Sequence, residues 1–328
     1  LHIPFINTAS KKGTEIVLFQ NWPKIALFVF ALIFASCAKA QTPFMPTGSL
    51  AQSASTNLNL SVLNREEPLN RFKKQALQRV AISSGYFSDN DNSSRHRWFS
   101  TEIGTGIPLG SFENILATSI SYRNDVLSVA TSDFKRSDLH ELSASLFFRK
   151  PLTDKSNLLI NIRPGYLGDF DASSNTFGMF GMALITKKLE AHDLTLSYGI
   201  VHLNQVTAGL LPGLGLRWEP KAEMTVDLRV PESKISWRLG KNGRFSEHWL
   251  HASLGFAGNR WGIRKPDGNE AEIRLKYWSA GLALEKKVDG GGGWWIDLSH
   301  QFARRFLESG ETDLKLSNGF QISAEFAY

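Results

Sequence analysis

Apolar side chains recur at every second position through most of this chain, and that period limits what it can fold into. In the closing stretch, Leu314, Leu316, Phe320, Ile322, Ala324, Phe326 and Tyr328 share one face of an extended strand. Lys315, Ser317, Gly319, Gln321, Ser323, Glu325 and Ala327 share the other. Successive side chains of a strand point to opposite sides, so this is a strand with one apolar and one polar or small face. The same alternation runs through LHELSASLFFRK, NLLINIRPGYLGD, DLTLSYGIVH, HWLHASLGFAG and WWIDLSHQF. It is weaker in QRVAISSGYF, WFSTEIGTGIPL, NILATSISYR, TFGMFGMALITKK, AGLLPGLGLRWEP, MTVDLRVP and SKISWRLG. AEIRLKYWSAGLALEKK changes phase, which predicts a β-bulge near Tyr277. Turn-rich stretches separate these runs, SDNDNSSRH, RNDVLSVATSDFKRSD, GDFDASSN, KNGRFSEH, KPDGNE and DGGGG among them. No window carries a helical period, so the expectation is an all-β chain of about 12 strands, in a range of about 10–14.

Ahead of the strands, IALFVFALIFAS forms an apolar run from Ile25 to Ser36, preceded by Lys24. The small residues of Ala38-Lys39-Ala40 follow, with Ala38 and Ala40 at the cleavage positions, so residues 1–40 read as a signal peptide with 1–23 as an upstream extension. The run is too short for a comfortable transmembrane helix. FASC resembles a lipoprotein box, which leaves two fates for Cys37: removal with the signal, or lipidation. It is the only cysteine, so no disulfide framework exists. Losing Lys11, Lys12, Lys24, Lys39 and Glu15 takes the formal net charge from +6 to +3, and the basic balance implies no nucleic-acid partner. Residues 41–72 are rich in Ser, Thr, Asn and Gln without period and read as a flexible lead-in; residues 73–328 hold the strands.

Two architectures alternate in this way. A secreted β-sandwich, here a binding protein, turns its apolar face inward; an antiparallel transmembrane β-barrel turns it toward lipid. Many runs reach the roughly 9–11 residues that a tilted membrane strand needs. Aromatics gather near strand ends, among them Trp98, Tyr122, Trp218, Trp237, Trp294 and Tyr328. A closed sheet leaves no unpaired edge in lipid. These features favour the barrel and a Gram-negative-type outer membrane. The alternate face then puts Glu102, Glu141, Arg149, Arg163, Arg217, Asp227, Arg229, Arg238, Arg274, Lys276, Asp297, Arg305 and Glu325 in the lumen. The sandwich reading makes the same charges a solvated surface.

LLPGLGLRWEP, MTVDLRVPESKISWRLG, KYWSAGLALEKK and WWIDLSHQFARRFLES together resemble a family of bacterial outer-membrane β-barrels known mainly as a domain of unknown function. The likeness covers roughly Arg79 to Tyr328, and its strongest elements are Pro212–Pro220, Val230-Pro231 and Ala303–Phe306. It implies a fold and a compartment, and brings no catalytic or binding residues. Phe320, Ile322, Phe326 and Tyr328 also resemble the C-terminal signal read by the barrel-assembly machinery, with Ala324 a small departure. Outer-membrane lipid and lipopolysaccharide are the other expected partners.

Enzymatic signatures are sparse. No C-x-x-C, H-E-x-x-H, G-x-S-x-G or Walker pattern occurs, and no cofactor or metal site is expected. His248 and His251 fall on opposite faces of one strand. DGGGG reads as a hairpin turn whose glycines permit positive φ, not a phosphate loop, because a strand follows it. Ser299-His300 raises the alternative of a lipid-modifying hydrolase, but the two residues point to opposite faces and His300 suits a girdle. Arg304 is expected to face outward at headgroup level, as a solvated rim charge or a phosphate contact, with Arg305 inside. The reading is a non-enzymatic barrel, structural or a passive small-solute pore with a charge-lined lumen. At about 12 strands side chains can largely fill the lumen, so a wide channel does not follow.

Overall fold

The structure, a computed structural model, describes residues 69, 73, 75–91, 93–111, 113–130, 137–189, 193–203, 209–309 and 313–328. The signal-peptide reading, Ala38, Ala40, Cys37 and nearly all of the lead-in segment lie outside the described residues.

The first half holds β1 (Leu77–Asp89), β2 (Ser94–Pro108), β3 (Ile115–Val129), β4 (Ser137–Thr153), β5 (Ser156–Gly168), β6 (Phe177–Leu189) and β7 (Leu194–His202). The second holds β8 (Leu210–Lys221), β9 (Met224–Arg229), β10 (Glu232–Asn242), β11 (Ser246–Arg264), β12 (Glu270–Val288) and β13 (Gly293–Glu308). Then come β14 (Leu314–Lys315) and β15 (Gly319–Ala327), both paired with β13. These last two are pieces of one interrupted strand. Every strand pairs antiparallel with the next, and β15 pairs with β1 from Ala81↔Ala327 to Asp89↔Gly319. Reciprocal backbone bonds between Val80 and Tyr328 extend that seam. The result is a closed 14-strand barrel. The sequence reading of about 12 strands is therefore corrected to 14; MTVDLRVP and SKISWRLG, weak in period, are both full wall members as β9 and β10.

The barrel is inverted relative to a sandwich. Its large exposed apolar residues, among them Ile82, Ile103, Ile120, Leu146, Leu214, Leu282, Leu298, Ile322 and Phe326, stand on the outer face, while most inward residues are polar or small. On β12 the outer face between Lys276 and Lys286 carries only Trp278, Ala280, Leu282 and Leu284. About ten residue steps of roughly 3.3 Å, tilted by about 40°, make a belt about 25 Å tall, the height of a hydrocarbon layer. Phe320, Ile322, Phe326 and Tyr328 lie on this outer face.

Both termini of the barrel lie at one end, called proximal here. At the opposite, distal end the wall changes. β10 leaves β11 at Glu232↔Gly255, but β11 and β12 continue paired to Arg264↔Glu270. The extended hairpin crosses the mouth to β5, where Gly262 pairs in parallel with Gly168 and its carbonyl accepts from the Asp169 amide at 3.3 Å. Nine strands, β11 through the terminal strand and β1 through β5, thus close a narrower distal ring. An odd number of strands in an otherwise antiparallel ring requires one parallel contact, and Gly168–Gly262 supplies it. Gly258, with φ +147°, sits where the hairpin departs; an added Cβ would collide with the Leu275 carbonyl oxygen. Leu127, Val129, Leu139, Leu167, Trp261, Ile263, Ile273, Leu275, Phe306 and Leu316 fill this ring. A ring of about eight strands is just wide enough for side chains to fill it, so nine with a Trp and a Phe make a plug, not an opening.

That plug corrects two readings. The bulge expected near Tyr277 is not in β12, whose ladder with β11 is unbroken; Ile273, Leu275 and Tyr277 are apolar because they face the plug. The extra residue lies opposite, in β13, where Phe302 pairs with Trp278 and Arg305 with Lys276, and Ala303 adopts φ +50°. RNDVLSVATSDFKRSD is likewise not all turn: β3 runs to Val129 and β4 starts at Ser137.

Candidate functional site

The wide proximal tier encloses most of the charges that the alternation predicts, and these find partners on their own or neighbouring strands. Near the terminal end Arg79 pairs with Glu325, and its Nε lies 3.6 Å from Glu102. Arg238 bridges Glu223 at 3.2 Å and Glu247 at 3.6 Å, and Lys241 also reaches Glu247. Asp227 pairs with Arg229, and Arg217 with Glu219 at 2.9 Å. Arg149 is buried and donates to Asn157. Asp297 is fully buried and accepts from the Ser299 hydroxyl at 3.1 Å. Closely spaced opposite charges offset one another inside a low-dielectric wall, where a lone charge is costly.

Nearer the plug the lumen is crossed. Arg163 donates to Glu141 at 2.7 Å, and Asn259, from the hairpin, donates to the other Glu141 oxygen at 3.3 Å. Beside this, Asp125 is held by the Arg123 guanidinium at 2.7 and 2.9 Å through Nε, and by His96 Nε2 at 2.7 Å. Arg123 also lies over the Trp98 ring. In the proximal tier, level with Asp297, His251 is buried on β11 and links Ser236 at 2.8 Å to Glu285 at 2.9 Å. The sequence reading missed Arg79, His96, Arg123, Asp125 and Asn259, and it weighed His251 only as a rejected metal partner of His248. Plain alternation would have found Arg79 and Arg123, which sit on the inward register of their strands.

Three of the predicted lumen charges are placed elsewhere. Arg274 and Lys276 are on the outward register of β12, because Ile273 and Leu275 between and beside them face the plug. Arg305 and Arg304 exchange roles. The extra residue at Ala303 turns Arg304 inward, where it is fully buried, and leaves the Arg305 side chain 64% exposed. Arg304 stacks over the Phe87 ring at 3.7 Å and donates to Ser94 Oγ at 2.7 Å and to the Ser317 carbonyl at 2.9 Å.

The crossing hairpin is latched from outside. Glu270, at its tip, accepts from the Ser173 amide and hydroxyl, each at 2.9 Å, and from the Ser174 amide at 2.8 Å. Asp169 Oδ2 accepts from the Arg264 amide at 2.7 Å, and Arg264 returns to Glu270 at 3.0 Å. Hydrogen bonds from the Ser174 hydroxyl and from Ser173 hold the Glu270 carboxyl down at about 2, well below its ordinary value. No two of these donors share a strand with Glu270, so the latch ties β12 to the β5–β6 connection.

No protein-family model and no curated protein sequence matches the chain. Among solved structures, the beta domain of the Bordetella autotransporter Brka aligns over 77% of this chain and 100% of its own, at 10% identity and a TM-score of 0.33. A NanC porin aligns over 75% and 98%, at 10% identity and 0.34. Omp33 of Acinetobacter baumannii aligns over 78% and 100%, at 9% identity and 0.29. The barrel assignment itself rests on the strand ladder and its closing seam.

Ser299 and His300 occupy opposite faces. Ser299 is buried beside Asp297, whereas His300 stacks outside between Phe302 and Phe320, with ring centroids 6.1 and 5.0 Å away. Among the described residues no group of three His, Cys, Asp or Glu side chains could hold a metal ion.

Proposed function

We propose that this chain is an outer-membrane β-barrel that acts as a passive pore for small polar solutes, with the β11–β12 hairpin as the restriction at its distal end. One observation carries the reading: an ion-paired, polar lumen inside an apolar outer belt narrows from 14 strands to nine around an apolar plug. A polar lumen stabilises hydrated solutes, and the paired charges disfavour strong selection by sign. Membrane lipid surrounds the belt. The barrel-assembly machinery recognises the last strand, whose Tyr328 both closes the seam with Val80 and presents its ring outside. The role is non-enzymatic.

The test is conductance in planar bilayers. Replacing residues 259–275 by an Asn-Gly turn joins Gly258 to Lys276 as a short hairpin and removes the crossing segment. The full chain should conduct in small, infrequent steps, and the shortened one in larger, sustained steps. Silence from both would make the barrel structural. Equal, sustained conductance from both would remove the hairpin as the restriction.

A further inference from the structure

We propose that the outer face of β12–β14, just beyond the apolar belt, binds the phosphate groups of a phosphorylated glycolipid headgroup. Lys276, Arg305 and Lys315 are direct cross-strand partners in one row, and Arg274 stands one outward position further along β12. Like charges placed directly opposite on a sheet destabilise it, so three cations side by side call for an anion between them. The protein supplies only part of one. Asp313 takes Arg305 at 2.7 Å and Glu272 takes Arg274, while Lys276 and Lys315 form no ion pair among the described residues. Among the described residues the four cations Arg274, Lys276, Arg305 and Lys315 face two carboxylates, Glu272 and Asp313, across three neighbouring strands.

The row's position selects the ligand. One outward step below Lys276 is Trp278, in register with Phe302 on β13, and below them Leu282 and Leu298 continue the belt. A molecule that satisfies the whole surface has anionic groups at the cation row and acyl chains along the belt. Phosphate suits the arginines, whose forked donors match its oxygens, and the lysines, which act as point charges. The bulge at Ala303 creates the row: without that extra residue Arg304 would take the outward place, and Arg305 would lie in the plug beside Leu275.

This inference rests on the membrane reading above, and the two fail separately. Heat-modifiable gel mobility and a requirement for detergent test the barrel; lipid retention tests the row. The experiment is native mass spectrometry of the detergent-purified full chain with added bisphosphorylated lipid A, its dephosphorylated form, or inorganic phosphate. The full chain should retain the bisphosphorylated lipid, and K276Q/R305Q/K315Q should bind it at least about tenfold more weakly while keeping folded mobility. K276R/R305K/K315R should restore retention, which separates charge from folding. Equal retention by the glutamine variant, equal binding of the dephosphorylated lipid, or displacement by an equal concentration of inorganic phosphate would each overturn the proposal.

Discussion

Arg304 offers the sharpest test of how the two tiers are joined, because its neighbours assign different costs to different replacements. Its guanidinium lies flat on Phe87 and donates from Nη1 to Ser94 Oγ and the Ser317 carbonyl; Nε and Nη2 have no hydrogen-bond partner among the described residues. Asp89, 3.9 Å away, takes no hydrogen bond from it: its Oδ2 accepts from the Ser93 hydroxyl at 2.8 Å and from Ser94 through both amide and hydroxyl, while its Oδ1 has no hydrogen-bond partner among the described residues. Arg304→Ala removes a buried cation and leaves a cavity. Breaking a buried pair costs about 3–5 kcal/mol, and the three hydrogen bonds that Asp89 Oδ2 keeps place the change at the low end, about 3 kcal/mol. Arg304→Met keeps the packing against Phe87 and discards two unsatisfied buried donors. Well-packed apolar replacements of buried ions are often neutral, so its cost should stay within about 1 kcal/mol. Tryptophan-fluorescence urea titrations of the barrel in micelles measure both, with heat-modifiable mobility as the check on folding. A gap of about 2 kcal/mol between Ala and Met supports the account. Equal losses for the two variants would mean that the charge, and not the packing on Phe87, holds the tiers together.

Two further outcomes follow from local geometry. Ala303 occupies the left-handed region at φ +50°, which costs a non-glycine residue about 1–2 kcal/mol, so Ala303→Gly should stabilise the barrel by up to about 1 kcal/mol in the same titration once the greater flexibility of unfolded glycine is deducted. The latch should weaken only in strong acid. The folded Glu270 carboxyl is held below its ordinary value, so its contribution is complete above about pH 4.5 and is lost as pH falls through about 2. Hydrogen exchange at the Ser173 and Ser174 amides should therefore show constant protection from neutral pH to about 5 and loss below about 4.

The legible part of this protein is its outer face. An apolar outer belt imposes one rule on every strand, so Leu142, Leu146, Ile162, Leu214, Leu282, Ile322 and their like keep period two and carry both the fold class and most of the lumen register. Glu141, Arg163, Arg238 and Asp297 follow from that register without further information. Their partners do not, because Asn259 reaches Glu141 from a strand 118 residues away, across the lumen. What failed was the distal tier, where the inner wall is apolar as well. Leu127 and Val129 beside Val126, or Trp261 and Ile263 between Arg260, Gly262 and Arg264, put their apolar residues inside, the reverse of the belt, and such stretches resemble turns or phase errors.

The Arg304–Arg305 exchange has a different origin. One residue inserted into a strand shifts every later side chain by one face, so a single bulge decides which arginine is buried. ARRF contains a signal that could have found it. Strict alternation from Phe302 puts Phe306 outside and Arg305 inside the ring that Ile273 and Leu275 line, where a second arginine has no acceptor. Only an extra residue lets Phe306 enter the plug while one arginine meets Ser94, the Ser317 carbonyl and Phe87, and the other joins the cation row. The bulge, the plug and the outer row are therefore one arrangement of β13, and a change at Ala303 that relieves its backbone without removing the insertion should leave all three in place.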